Sequence, residues 1–169
     1  MGQQTTTNTK SVPADKEVTI RPAMVADGVP IANLVNYYAS MGEMLPKSKY
    51  QVYQHIGGFV VAEIDKQVVG CGVLHVLWED LAEVRSLAVL EEYKHQGLGT
   101  KMVTHLLKKA RLLGLRQIFA LTYVPGFFES MGFHHIEKHV LPQKIWIDCI
   151  NCAKFPDCDE EALLLALED

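Results

Sequence analysis

Residues 83–100 constrain the fold more than any other stretch of this 169-residue chain. Glu83-Val84-Arg85-Ser86-Leu87-Ala88-Val89 has the make-up of a strand. Leu90 to Tyr93 leaves it, and Lys94-His95-Gln96-Gly97-Leu98-Gly99-Thr100 opens a helix. From Leu98 to Leu113 the apolar positions Met102, Val103, Leu106, Leu107, Ala110 and Leu113 fall in one stripe. Lys101, His105, Lys108, Lys109 and Arg111 take the wet face, and Gly114 supplies the stop. Gln117 to Thr122 is again strand-like. A strand, a helix and a second strand make a crossover, which brings parallel pairing into the sheet. Upstream, Phe59 to Ile64, Gln67 to Trp78 and Leu81 to Val89 are separated only by Asp65-Lys66 and Glu79-Asp80. Breaks that short form hairpins, so these three strands are antiparallel. The expected class is α+β: a mixed, mostly antiparallel central sheet flanked by helices.

The remaining elements fit around that frame. Glu17 to Arg21 is a short strand stopped by Pro22. Asp27 is placed to cap a helix with Pro30 in its first turn, and Ile31, Leu34, Val35 and Tyr38 form its buried face up to Gly42. Lys47 to Ile56 is a second short helix. Beyond the crossover come a short helix from Pro125 to Met131, strands at Phe133 to Leu141 and Lys144 to Ile147, and a terminal helix at Glu160 to Leu167. The domain reading is a flexible polar tail over 1–16, one domain over 17–148, and a Cys-containing extension over 149–169 that ends in the short helix.

Charge excludes some functions. Sixteen Lys and Arg against twenty Asp and Glu give a net charge of −4, without the basic excess of a nucleic-acid binder. No apolar run approaches the ~20 residues that cross a bilayer. The opening Met1 to Thr6 fits the loose myristoylation pattern but lacks the apolar stretch of a secretory signal, so a polar tail and a cytoplasmic location are expected. There, thiols stay reduced. Cys71 reads as buried filler. Cys149, Cys152 and Cys158 make half of a zinc pattern that His134, His135 and His139 complete only by folding back. Three readings stand for that cluster, a metal site, a redox pair and plain structural thiols; no metal is assigned.

The Gly97-Leu98-Gly99 turn carries chemistry. Two glycines let backbone N–H groups approach a ligand closely, and the helix N-terminus adds the positive end of its dipole. The result is a seat for phosphate or pyrophosphate. No Gly-Lys-Ser/Thr follows, so this is not a Walker A loop, and the glycine spacing is not that of a dinucleotide fingerprint.

In its context, a strand with Leu-Ala-Val and then K-x-x-G-x-G, the segment resembles the acetyl-CoA-binding segment of the GNAT superfamily of N-acetyltransferases. Lys94 stands where Gln or Arg is usual. Phe127-Phe128-Glu129-Ser130-Met131-Gly132-Phe133 resembles the second landmark of that family. GEMLPKS at 42–48, AEVRSLAV at 82–89, FALT at 119–122 and LPQKIW at 141–146 further resemble the short, single-domain bacterial N-acetylglutamate synthases. The resemblance implies acetyl-CoA as co-substrate, held at its pyrophosphate by Lys94, His95, Gln96, Gly97, Leu98, Gly99 and Thr100. The pantetheine arm would lie along Leu87, Ala88 and Val89, with Phe128 nearby. It implies L-glutamate or a similar amino acid as acceptor, with Glu83 as general base.

The general acid is harder to place. Many members carry Tyr where this chain has Phe128, and Tyr123 is the substitute candidate. Lys47, Arg85, Ser86 and Lys144 are candidates for holding a doubly anionic acceptor. No nucleic-acid or membrane partner is expected, and a homodimer is left open. Two rival readings are a GNAT enzyme for another small amine, amino acid or protein amine, and a non-catalytic acetyl-CoA-binding module.

Overall fold

The computed structural model describes residues 16–142 and 158–168. Seven strands are present among them: β1 (Val18–Pro22), β2 (Phe59–Ile64), β3 (Gln67–Val76), β4 (Leu81–Val89), β5 (Gln117–Thr122), β6 (His134–Ile136) and β7 (Glu161–Ala166). The helices are α1 (Gly28–Ser40), α2 (Lys49–Gln54), α3 (Leu98–Leu112) and α4 (Pro125–Glu129). The strands form one sheet in the order β1-β2-β3-β4-β5-β7-β6. Only β4 and β5 pair in parallel; the other neighbours are antiparallel. The mixed, mostly antiparallel α+β sheet expected from the crossover and the hairpins is the fold observed. No helix among the described residues is long and apolar enough to cross a membrane.

Each face of the sheet buries its own core. On one, Val60, Ala62, Leu74, Ala82 and Val84 pack against Met102, Val103, Leu106 and Ala110 of α3. On the other, Val61, Cys71, Val73 and Ala88 pack against Ile31, Leu34, Val35 and Tyr38 of α1. Away from the register shifts, the two side-chain sets alternate along the strands, as a sheet buried on both sides requires. Asp65 and Lys66 both have positive φ, 51° and 63°, in the tight turn joining β2 and β3. Cys71 is fully buried, and burial pushes its thiol pKa up to about 12, as befits an inert filler.

Several expectations need correction. The terminal helix at Glu160 to Leu167 is instead β7, inserted between β5 and β6. Its Leu and Ala residues have high intrinsic helix propensity, but Gln117–Thr122 offers a waiting edge, and six cross-strand pairs form there. Leu163 becomes fully buried, so tertiary pairing outweighs local preference. The C-terminal stretch therefore completes the main sheet. The strand expected from Phe133 to Leu141 shrinks to β6, and a 3-10 turn follows at Lys138–Val140. The middle hairpin strand, β3, ends at Val76 rather than Trp78. Leu113 leaves the α3 stripe and is 57% exposed at the helix end. Residues 1–15, the expected strand at 144–147, and Lys144, Cys149 and Cys152 lie outside the described residues.

Asp27 does not cap α1 with its side chain. It accepts from the Met24 N–H at 2.7 Å and takes a two-pronged grip from Arg21 at 2.7 and 2.9 Å. Arg21 also donates to Glu63 at 2.8 Å, so one guanidinium ties β1, β2 and the entry to α1. Asp27 is nearly buried, and the Arg21 hydrogen bonds hold its carboxyl below the ordinary aspartate value against the opposing effect of burial. A depressed native pKa stabilises the fold at pH above the unfolded value of about 3.9. That contribution is lost as pH falls through the lower native value. Asp27→Ala leaves Arg21 short of a partner and is expected to cost roughly 2 kcal/mol. Denaturant melts at pH 7 and pH 3 check this: the gap between variant and parent should narrow at the acid end.

Candidate active site

The site is built around a defect in the pairing of β3 with β4. Cys71 pairs with Ala88 and Val73 with Arg85, so Gly72 alone faces both Ser86 and Leu87. This is a bulge of two residues against one, which bends and twists its strand. Ser86 adopts φ of 51°, in the left-handed region. A Cβ at Gly72, opposite the bulge, would lie 3.0 Å from Leu87 Cδ1, so glycine there lets Leu87 pack close over the strand.

On its other side β4 pairs with β5 only over Leu81, Ala82 and Glu83, against Gln117, Ile118 and Phe119. Past that point β5 continues along β7, and β4 has no strand partner on this side among the described residues. A wedge opens, with the backbone of Val84 to Val89 along one wall. The Tyr38 hydroxyl of α1 donates to the Val89 carbonyl at 2.5 Å and fixes the far end of that wall.

At the mouth of the wedge the chain makes a short 3-10 turn, Glu91–Tyr93, and then the glycine loop. His95 and Gly97 take positive φ, 61° and 81°. Gly97 is the N-cap of α3 and brings no side chain to the cap. The first bond down the helix is Lys101 N–H to Gly97 O at 3.1 Å, so the N–H groups of Leu98, Gly99 and Thr100 have no partner within the helix. With the dipole of a fifteen-residue helix behind them, these donors stand where the sequence reading expects an anion seat.

Phe127 of α4 stands over the seat, 3.3 Å from where a Cβ on Gly99 would be. Lys94 lies with its Nζ 4.6 Å from the Tyr38 ring centre and bonds Glu91 at 2.9 Å. Burial opposes its charge, but Glu91 and Tyr38 outweigh burial, and the lysine sits above its ordinary value.

Glu83 is the last paired residue of β4 before the strands part, and it is 5% exposed. Arg85, two residues on and on the same face, donates through Nε to Glu83 Oε2. The wedge thus has a carboxylate at its vertex and a guanidinium beside it.

The other expected residues are distributed as follows. Leu87 is partly buried against the α3 core, while Ala88 is buried towards α1. Their backbone lines the wedge wall, together with that of Ser86 and Val89. Phe128 is 4% exposed and packs edge-to-face on Phe127 and Phe133, so its ring belongs to the core. Tyr123 donates its hydroxyl to Asp159 at 2.9 Å, which ties β5 to the lead-in of β7. Lys47 is half-buried, and its backbone is clamped by Asn36 of α1: the Asn36 amide donates to Lys47 O at 2.7 Å and accepts from Lys47 N–H at 2.9 Å.

Sequence reasoning placed Tyr38 in the buried face of α1 but missed its hydroxyl bond to Val89, and it missed Asn36 and the bulge. Only the Gly70-x-Gly72 spacing in an otherwise apolar strand hinted at the last of these. No cluster of three or more His, Cys, Asp or Glu suited to a metal ion occurs among the described residues.

Comparison with known proteins places this geometry. The profile of the Acetyltransferase (GNAT) family matches residues 32–135. An uncharacterized N-acetyltransferase of Chlorobaculum tepidum is 41% identical over 148 residues, 88% of this chain and 96% of the relative. The amino-acid acetyltransferase of Mycobacterium tuberculosis is 40% identical over 128 residues, 74% of this chain and 73% of that enzyme.

Among solved structures, Rv2747 of Mycobacterium tuberculosis, in complex with CoA and NLQ, superposes with a TM-score of 0.76 at 34% identity. The match covers 89% of this chain and 99% of that one. N-acetylglutamate synthase of Neisseria gonorrhoeae, complexed with coenzyme A and N-acetyl-glutamate, gives 0.80 at 26% identity, over 90% of this chain but 36% of that longer one. A parted β4–β5 pair, a glycine-capped helix at its mouth and this degree of similarity agree: the chain belongs to the GNAT family of acetyltransferases, enzymes that draw their acetyl group from acetyl-CoA.

Proposed function

We propose that this acetyltransferase acetylates the α-amine of L-glutamate, by direct attack of the amine on the thioester of acetyl-CoA. The observation that carries the reading is the vertex of the wedge, where the buried Glu83 carboxylate and the Arg85 guanidinium stand beside a strand edge that has no strand partner among the described residues. An amino acid arrives largely as its ammonium ion and must lose a proton before its nitrogen can attack. Glu83 is the base for that step, directly or through one water. The backbone N–H groups of Val84 to Val89 that face away from β3 are the donors available to the pantetheine amide and to the oxyanion that forms on the thioester carbon. The N–H groups of Leu98, Gly99 and Thr100, with the loop from Lys94, hold the pyrophosphate.

Glutamate carries two carboxylates, and cationic side chains favour it. Arg85 supplies one at the vertex. Lys47 is a second, on a loop that Asn36 fixes to the helix that also holds Val89. Relatives named amino-acid acetyltransferase and N-acetylglutamate synthase support the same acceptor class. Tyr123 remains the candidate general acid. In that role its hydroxyl proton, now directed at Asp159, would turn to the departing thiolate.

The test is release of free CoA thiol when purified protein meets acetyl-CoA and each of the twenty amino acids in turn. Saturable turnover with glutamate above glutamine and aspartate is expected. Turnover confined to a polyamine or a peptide amine would replace this acceptor with another, and no thiol release with any amine would leave only a binding module.

A further inference from the structure

Acetylation of an ammonium group leaves one proton over. The acceptor enters as R–NH3+ and leaves as a neutral amide, the thioester leaves as a thiol, and one H+ must reach solvent in every turnover. Glu83 takes that proton first, in the reading above on which this inference rests, but the carboxylate is only 5% exposed. It needs a way out.

The register of the sheet supplies one. His75 of β3 pairs directly across from Glu83. Directly opposed residues share a face, with Cβ atoms roughly 5 Å apart. That face is the one turned away from α3, since the alternate positions Leu74, Ala82 and Val84 all belong to the α3 core. β2 begins at Phe59, opposite Val73, so β3 runs past the end of its neighbour at His75.

The space beyond that end is filled by the loop after α2. The loop lies hard against β3: a Cβ on Gly58 would stand 2.8 Å from the Leu74 carbonyl oxygen. It carries His55, whose ring meets the His75 ring edge-to-face, with centres 5.0 Å apart and planes at 66°. The backbone fixes His55 on both sides, through His55 N–H to Val52 O at 3.1 Å and Gly58 N–H to His55 O at 2.8 Å. His75 is half-buried and His55 exposed. Both line a groove of about 330 Å³ together with Gln54, Gly58, Leu74 and Lys109. The order from interior to solvent is therefore Glu83, His75, His55, groove.

We infer that His75, with His55 behind it, carries the reaction proton from Glu83 to solvent. Imidazole suits the task because it accepts on one nitrogen, donates from the other, and changes charge near neutral pH. In the step, the protonated Glu83 carboxyl gives its proton to a ring nitrogen of His75 and returns to carboxylate. The His75 imidazolium then releases a proton to water in the groove, directly or by way of His55, and is neutral again. The charged and titratable groups that face this path are Glu83 and Arg85 of β4, His55 after α2, and Lys109 of α3. His75 touches no reacting atom in this scheme. It acts through Glu83.

The test is the steady-state rate with acetyl-CoA and L-glutamate in dilute buffer, with and without added imidazole. His75→Gln is expected to lower kcat about tenfold with KM for both substrates unchanged, a small share of what acid–base catalysis supplies. Added imidazole should restore at least half of the loss in a saturable manner, while the wild type stays indifferent to it. His55→Gln should give a smaller, few-fold loss with the same rescue.

A wild-type kcat in His75→Gln overturns the relay, and so does a loss that imidazole does not repair. Glu83→Gln separates the two layers. If it is inactive while His75→Gln is fully active, the relay alone is wrong; if it keeps the wild-type rate, base and relay fall together.

Discussion

Glu83→Gln should lower kcat by about 100- to 1,000-fold, or roughly 3–4 kcal/mol of barrier, while KM for acetyl-CoA stays within a factor of two. The substitution keeps the shape of the side chain at the wedge vertex and removes its ability to hold a proton. The deficit should shrink as pH rises, because a growing fraction of the acceptor then arrives already as free amine and needs no base. Loss of a folded site would show no such convergence, so the pH profile distinguishes chemistry from damage. Arg85 makes that control necessary, since its guanidinium is only 16% exposed and loses its carboxylate partner. A melting curve on the variant should show a modest drop, and the rate at high pH should return regardless. A variant as fast as the wild type at pH 7 would remove Glu83 from the mechanism.

The parts of this protein legible in its sequence are those where neighbours in the chain decide the geometry. Strand, turn and amphipathic helix from Glu83 to Leu113 can be read because the glycines, the apolar stripe and the stop at Gly114 all act within a few residues. Asp65-Lys66 is likewise a local turn. What could not be read depends on partners far along the chain. Glu161–Ala166 is a strand because β5 has a free edge forty residues earlier, and nothing within the segment itself says so. The bulge at Ser86 is a two-against-one mismatch with Gly72 across the sheet. Lys47, in a loop, is positioned by Asn36 of α1, and Tyr123 is engaged by Asp159. His75 looks like any strand residue until the register sets it opposite Glu83. The residue types of the candidate site were thus visible, while their mutual orientation required the sheet.

The anion seat gives the second large effect, and its two glycines should respond differently. Gly99→Val puts a branched side chain on the first turn of α3, where a Cβ already lies 3.3 Å from the Phe127 ring. Valine is tolerated by the helix itself at a few tenths of a kcal/mol, so the fold should survive. Its γ-methyls must push Phe127 aside or stand over the N–H groups to which the pyrophosphate is assigned in the proposed function. Affinity for CoA measured by calorimetry should fall at least tenfold, about 1.4 kcal/mol or more. Gly97→Ala makes the contrast. No atom lies within 4 Å of a Cβ there, and the strain comes only from φ of 81°, which L-residues enter at a cost of about 1 kcal/mol. That variant should lose stability and bind CoA within a few-fold of the parent. If Gly99→Val binds CoA as tightly as the wild type, the pyrophosphate does not sit on the first turn of α3, and the placement of the thioester at the β4 edge loses its anchor as well.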